Sequence, residues 1–360
     1  MRIGLSIETD SPGGAETMLL QLARQLTEAG HTVLAFGPSG GEGWLTGRFA
    51  DMGIDRAFIE TRRAAAAPMM VRELAARVRA AELDVLHSHD FTMSVLGAVA
   101  ARIAGCRHVV TMHGGVYYAT DPRRLAALRL AAGLSHRLVA VSAALRSALA
   151  EQLRLSLHSI DLVHNGVAAE AGDGAAVRAE LGLGSGDVLA VAVGSLYPVK
   201  GHAVLIDAVA RMPARERPTV AIAGSGYEEE KLRARIAGRE VGEHVVLLGY
   251  RSDIPDVLAA ADVYVMPSLS EGLPMAMIEA MLAGRPVLAS DVGGIRELVP
   301  GPEYGILVPP SDPAALEVEL RRLSLDPELR KALGEAGRRR AEADFTAAAM
   351  ADQYLRLYAD

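Results

Sequence analysis

The stretch 268-SLSEGLPMAMIEAMLAGRPVLAS-290 holds two carboxylates eight residues apart, Glu271 and Glu279, with Gly-Leu-Pro and an apolar run between them. Pro274 suits the first position of a helix, where its missing N–H is not needed. The amides of Gly272, Leu273, Met275 and Ala276 then lack intrahelical partners, and such a helix start attracts anions. Glu279 is the only charged residue from Gly272 to Ala283. A helix that is apolar all round is buried, and a buried carboxylate needs partners. Those are either groups of a neighbouring loop or the hydroxyls of a ligand. Glu271 either answers the helix dipole or meets the same ligand. Eight helical residues span about 12 Å, beyond the roughly 5–9 Å of an ordinary glycosidase acid/base pair. The spacing suits a long ligand with an anionic middle and hydroxyls at both ends, which describes a sugar nucleotide.

Lys200 is the next candidate. It stands in 191-VAVGSLYPVKGHAVLIDA-208, and the chain has only three lysines, Lys200, Lys231 and Lys331, against 34 arginines. The segment reads as strand, loop and helix, with Lys200 and Gly201 at the helix start. A lysine about 4 Å from a phosphate contributes roughly 4 kcal/mol at an effective dielectric of 20; the alternative is an ordinary surface lysine. In 11-SPGGAETMLLQLARQL-26, Gly13 and Gly14 open a helix without side chains in the way of a ligand. The pattern is not the G-x-G-x-x-G of dinucleotide binders. His113 in 111-TMHGG-115 ends a strand and is either structural or part of a site. His87 and His89 in 85-VLHSHD-90 also end a strand, but H-x-H with Asp90 is a weak metal signal. No D-x-D occurs, so no metal site is expected. Arg123, Arg124 and Arg129 share one helix and read first as a solvated face, second as a basic patch.

These residues need elements to hold them. Short apolar or β-branched runs at 2–7, 32–36, 84–88, 108–112, 137–141 and 160–163 alternate with helical patterns near 15–29, 69–81, 92–104, 122–133 and 142–153. A second series of strands is predicted at 187–193, 219–223, 245–249, 263–267, 286–290 and 304–308. Alternation of this kind makes parallel sheets covered on both faces. The expected fold class is α/β, with two Rossmann-like doubly wound domains. Ligands of such sheets bind beyond the carboxyl ends of the strands, so two facing sheets would put a ligand in the cleft between them. The expected domains are 1–168 and 169–344, with 164–176 as a linker. A last helix, 345–360, packs on either domain, the first being the one preferred.

Composition narrows the classes. The chain has 360 residues, half of them hydrophobic and 22% charged, with a net charge of −7. Residues 1–168 hold 17 Arg and 15 acids, and residues 169–360 hold 20 Lys+Arg and 29 acids. A nucleic-acid surface would need a basic excess, so no nucleic-acid partner is expected. One cysteine, Cys106, allows no internal disulfide and points to a reducing, cytoplasmic setting. The first ten residues lack the apolar core of a signal peptide, and no run of about 18 apolar residues could span a bilayer.

Taken together, the chain resembles the retaining family 4 glycosyltransferases of GT-B fold over nearly its whole length. The strongest part is E-x7-E, Glu271 to Glu279, continued by 284-GRPVLASDVGGIRELV-299. Supporting parts are 13-GGAE-16, 111-TMHGG-115, 141-VSAAL-145, 164-HNGV-167, 199-VKG-201 and 249-GYRSDIPDVLAAADVYVMPS-268. The resemblance implies a nucleoside-diphosphate sugar as co-substrate, no other cofactor and no metal. Glu271 would hold the donor sugar's hydroxyls and Glu279 the ribose. The amides of Gly272 and Leu273, with Lys200, would hold the diphosphate. Gly14 would line the loop near the phosphates and acceptor, His113 would sit at the reaction centre, and Tyr250 and Arg251 would meet the base. Where the family usually has an arginine five residues before the lysine, this chain has Ser195. One cationic clamp is then missing unless another arginine, Arg251 or Arg296, replaces it.

The reaction implied is transfer of a sugar to an acceptor hydroxyl with retention, the acceptor being a polysaccharide, a lipid-linked or a small molecule. A front-face route is expected because no carboxylate nucleophile is offered beneath the sugar. Peripheral membrane contact through the first domain stays open. The alternatives are a GT-B sugar-nucleotide epimerase, a phosphorylase, which the scarcity of lysines disfavours, and a non-catalytic sugar-nucleotide-binding protein.

Overall fold

The computed structural model describes residues 1–38, 43–59, 66–114 and 121–359. They form two units, Met1–Val167 with Ala347–Asp360, and Ala168–Thr346.

The first unit has strands β1 (Arg2–Ser6), β2 (Thr32–Pro38), β3 (Asp55–Ile59), β4 (Val85–Ser88), β5 (Arg107–Met112), β6 (Arg137–Ala140) and β7 (Asp161–Leu162). Its helices are α1 (Gly14–Glu28), α2 (Trp44–Asp51), α3 (Ala67–Ala80), α4 (Phe91–Ala104), α5 (Pro122–Leu134) and α6 (Ala143–Leu153). The strands order as β3-β2-β1-β4-β5-β6-β7, and every pairing is parallel. β1 and β4 are neighbours from which the chain winds in opposite directions. The carboxyl ends of those two strands therefore mark the switch point, where doubly wound sheets take ligands. Two elements here depart from the sequence expectation. β3 is an edge strand reading DRAFI, with only Ile59 buried, so it lacks the apolar run that marks an inner strand. α2 spans eight residues and contains Gly47, too short and too broken for a helical period to show.

The second unit has β8 (Leu189–Val193), β9 (Thr219–Ala223), β10 (Val245–Gly249), β11 (Val263–Met266), β12 (Val287–Ser290) and β13 (Ile306–Val308). Its helices are α7 (Ala175–Glu180), α8 (His202–Arg211), α9 (Glu229–Gly238), α10 (Ile254–Ala260), α11 (Met275–Leu282), α12 (Ile295–Leu298), α13 (Pro313–Leu325) and α14 (Pro327–Asp344). The order β10-β9-β8-β11-β12-β13 puts the switch point between β8 and β11. Alternation along β8 builds both faces of the core. Ala190 and Ala192 pack with Leu205 of α8 and Leu316 of α13, while Leu189 and Val191 pack with Val177 of α7 and Val257 of α10.

The 164–176 stretch spans the boundary between the two units. The units divide between Val167 and Ala168, and the amide of Asp173 donates to Asp256 Oδ1 at 2.8 Å. The last helix, α15 (Ala347–Ala359), belongs to the first unit; Asp360 lies outside the described residues. Tyr354 and Tyr358 of α15 are fully buried, and Arg107 donates to the Tyr358 carbonyl at 2.5 Å. Among the described residues no helix is long and apolar enough to cross a membrane.

Candidate active site

Two loops leave the switch point of the second unit, one after β8 and one after β11, and they are tied together. The amide of Leu269 donates to Val199 O at 2.7 Å. A turn of 3-10 helix, Pro198–Lys200, ends at Gly201 with φ +66. A Cβ on Gly201 would stand 1.9 Å from Pro267 O, so only glycine lets the loops approach this closely. On the other side, the loop after β12 closes on the same segment. Gly294 donates to Gly272 O at 2.9 Å, and a Cβ on Gly293 (φ +53) would lie 1.9 Å from Glu271 O.

This backbone frame brings Lys200 and Glu271 together. Lys200 Nζ donates to Glu271 Oε1 at 2.7 Å, and Ser268 Oγ donates to the same oxygen at 2.7 Å. The Glu271 side chain is 8% exposed and that of Lys200 27%, so the carboxylate is buried and the lysine partly open to solvent. α11 follows. Pro274 is its N-cap rather than its first turn, and no side chain caps it. The helix therefore starts at Met275, one residue later than expected, and the amides of Met275, Ala276 and Met277 are its first three. Gly272 is half-buried and Leu273 buried. Glu279, a turn into α11, has its carboxyl pushed up to about 7 by burial, with the nearby charge of Glu170 adding to it.

Tyr264 of β11 is a member of the site that the sequence motifs do not single out. It is fully buried, and its hydroxyl has no hydrogen-bond partner among the described residues. Its acidity is suppressed by burial first and then by the charges of Glu271 and Glu279, so the phenol belongs to the same polar island. A signal is present: a tyrosine in the otherwise aliphatic strand VYVM, where a phenylalanine would fill the space without an oxygen to satisfy.

Arg251 and Arg296 are both engaged. Arg251 gives Nε and Nη2 to Asp253 and Nη1 to Glu180, at 2.6–3.0 Å. Arg296 pairs with Asp291 through Nε at 3.0 Å and through Nη2. Tyr250 is 46% exposed. Ser195 lies half-buried in the loop after β8, and its carbonyl accepts from Tyr197 N at 2.8 Å.

The first unit places Gly14 at the start of α1, exposed, after the extended N-cap Gly13. Beside it, Thr9 Oγ1 donates to the buried Glu16, and the Glu8 amide donates to Asp90. Asp90 caps α4 through Met93 N at 2.7 Å, and burial pushes its carboxyl up to about 6 despite those bonds. His113 follows β5; Gly115, part of the same motif, lies outside the described residues. His113 Nε2 is 3.1 Å from His89 Nδ1, and burial lowers the His113 pKa to about 4. His87 is used internally, with Nδ1 2.6 Å from Tyr358 Oη and Nε2 2.7 Å from Thr111 Oγ1. Of the three arginines on α5, Arg129 is structural: it donates to the carbonyls of Leu153 and Gln152 at the end of α6.

Two doubly wound parallel sheets in succession, each with its polar residues beyond the carboxyl ends of the strands, make this a GT-B protein. Its chain matches Anabaena HepE, crystallised with UDP-glucose, with a TM-score of 0.87 and 23% identity over 100% of this chain and 99% of that one. The chain belongs to the family 4 glycosyltransferases. The model of Glycosyltransferase Family 4 matches residues 12–171 and that of Glycosyl transferases group 1 matches residues 175–340. The alpha-maltose-1-phosphate synthase of Mycolicibacterium smegmatis is 30% identical over 82% of this chain and 83% of its own length. The D-inositol 3-phosphate glycosyltransferase of Streptomyces bingchenggensis is 36% identical over 54% of this chain. The match spans about half, 47%, of that relative's own length.

Proposed function

We propose that the protein transfers a sugar from a nucleoside-diphosphate sugar to an acceptor hydroxyl, with retention at the anomeric carbon and without a metal. The observation that carries the reading is the Lys200–Glu271 pair at the β8/β11 switch point, directly ahead of the uncapped start of α11. Charge that grows on a departing diphosphate would meet Lys200 and the α11 amides already in place, which is electrostatic preorganisation. Glu271 holds the donor sugar and Glu279 the ribose. The Gly272 and Leu273 amides share the diphosphate, and the loop of Tyr250 and Arg251 meets the base. Because the Arg251 guanidinium is tied to Asp253 and Glu180, that loop offers its backbone and Tyr250 rather than a free cation. In the first unit, Gly14 and His113 serve the phosphates, acceptor and reaction centre. With no carboxylate nucleophile assigned, the leaving phosphate oxygen takes the acceptor proton.

HepE, a structural neighbour, binds UDP-glucose, which makes UDP sugars the first donors to try. The protein acts in the cytoplasm, and an acceptor carried on a lipid would bring its first unit to a membrane surface. The test is release of nucleoside diphosphate from UDP, GDP and ADP sugars, with and without acceptor extract and with chelator present. Acceptor-dependent release that survives the chelator is the expected result. Release without acceptor points to an epimerase, and binding without release to a carrier; either outcome sinks the transferase reading.

A further inference from the structure

His89 and His113 come from the ends of two adjacent strands, β4 and β5. Their rings stack at 5.4 Å between centroids and 26° between planes, with His89 Nδ1 3.1 Å from His113 Nε2. One proton must lie between those nitrogens. The other nitrogen of His89, Nε2, is buried without any partner among the described residues. A buried N–H left unpaired is rarer and costlier than a bare acceptor. The His89 proton therefore belongs on Nδ1, where it is donated to His113 Nε2. His113, which is only half-buried, must then carry its own proton on Nδ1, an atom that, unlike His89 Nε2, is not among the buried ones left without a partner. Burial keeps both rings uncharged at neutral pH.

We infer that His89 is a positioning residue that fixes His113 as its Nδ1–H tautomer, so that His113 presents a neutral hydrogen-bond donor to the bound sugar. The inference rests on the proposed role of His113. His89 is itself held from behind. The His87 ring lies 4.0 Å from it between centroids, and His87 is locked by Tyr358 Oη and Thr111 Oγ1. Thr111 Oγ1 is in turn 2.9 Å from Tyr354 Oη. Two tyrosines of the last helix thus help to orient histidines of the first half of the chain, as outer partners commonly orient the groups that meet a ligand. A neutral donor, unlike an imidazolium, can hold a sugar hydroxyl without opposing the positive charge that grows on the ring carbon during transfer.

The test uses the full chain, labelled with 15N, and the two-bond correlation spectrum of its imidazoles, with His113 assigned by its disappearance in His113→Gln. The expected spectrum has a protonated Nδ1 and a bare Nε2 on His113. His89→Asn, whose amide N–H can replace the Nδ1–H, keeps that pattern; His89→Phe turns it into a mixture of tautomers. With UDP-glucose as donor, His89→Phe lowers kcat by roughly 10²-fold, as expected for a misplaced catalytic geometry. Its KM moves by less than about 2-fold, and His89→Asn recovers most of the loss. A proton on His113 Nε2 in the wild type, or an unchanged spectrum in His89→Phe, overturns the inference. A chain that turns over no nucleotide sugar fails the proposed function alone, and the imidazole spectra still decide whether His89 sets the His113 tautomer.

Discussion

Lys200 Nζ lies 2.7 Å from Glu271 Oε1, joining the loop after β8 to the loop after β11 across 71 residues of sequence. Read from sequence, the two have separate tasks: the cation for a diphosphate, the carboxylate for a sugar. Their contact makes each a determinant of where the other sits. Lys200→Ala should lower kcat by roughly 10²-fold, the usual loss on removing one such donor. It also leaves Glu271 with Ser268 alone. Glu271→Gln keeps the Ser268 bond but releases Lys200, and should lose turnover while UDP still binds. Steady-state rates at saturating donor, with calorimetry of UDP, check both. An unchanged kcat in Lys200→Ala removes the lysine from the mechanism.

Glu279 yields a pH prediction with a definite sign. Its carboxyl sits at about 7 in the folded chain against an ordinary 4.5, because burial and Glu170 oppose its charge. The folded state thus holds a proton that the unfolded chain gives up between those two values. Stability tied to this group is greatest below about pH 4.5 and falls as pH rises through about 7. Glu279→Gln should flatten that part of the profile in thermal unfolding. A ribose hydroxyl donated to the carboxylate favours its charged form, so UDP binding near pH 7 should release a proton. Calorimetry in buffers of different ionisation heat measures this directly, and zero proton release would remove Glu279 from the ribose.

Both sheets are legible in the sequence, and so is the segment from Glu271 to Glu279, because apolar runs and helix-start chemistry are local. The six strands of the second unit all fall where their β-branched runs predict. What cannot be read is whatever depends on tertiary meeting. The Lys200–Glu271 bond needs two loops brought together by strand order. The engagement of Arg251 needs Glu180 from α7, 71 residues away. The His87–Tyr358 bond needs the last helix to return to the first unit. Edge strand β3 escapes for a different reason: half-exposed and charged, it lacks the signature of burial that makes the inner strands visible.

The glycine frame makes a sharper test of the loop geometry than any charged residue. Gly293 has φ +53, and its Cβ would lie 1.9 Å from Glu271 O. Both the conformation and the backbone contact oppose a side chain, and neither can be relieved by a rotamer change. Gly293→Ala should cost about 1–3 kcal/mol of stability from the left-handed backbone alone, read by urea unfolding. Turnover should fall further than stability explains, because the displaced atom belongs to Glu271. Wild-type turnover in a folded Gly293→Ala would mean that the position of Glu271 does not matter.

Ser195 stands where the family resemblance places an arginine, and the two arginines that could stand in for it are both spent. Arg251 is held by Asp253 and Glu180, and Arg296 by Asp291. If the diphosphate is gripped by Lys200 and the backbone amides of Gly272, Leu273 and the start of α11, a second cation has work left to do. Ser195→Arg should then raise kcat/KM for the nucleotide sugar by about 10- to 10²-fold, the equivalent of one charge-assisted hydrogen bond of roughly 1.5–3 kcal/mol. The gain should vanish in Lys200→Ala/Ser195→Arg if the two cations act on the same phosphates, since groups sharing one partner are not additive. A Ser195→Arg variant no faster than the wild type would mean that Arg251 or Arg296 leaves its carboxylate to take the clamp. Repeating the rates in Arg251→Gln and Arg296→Gln identifies which of the two moves.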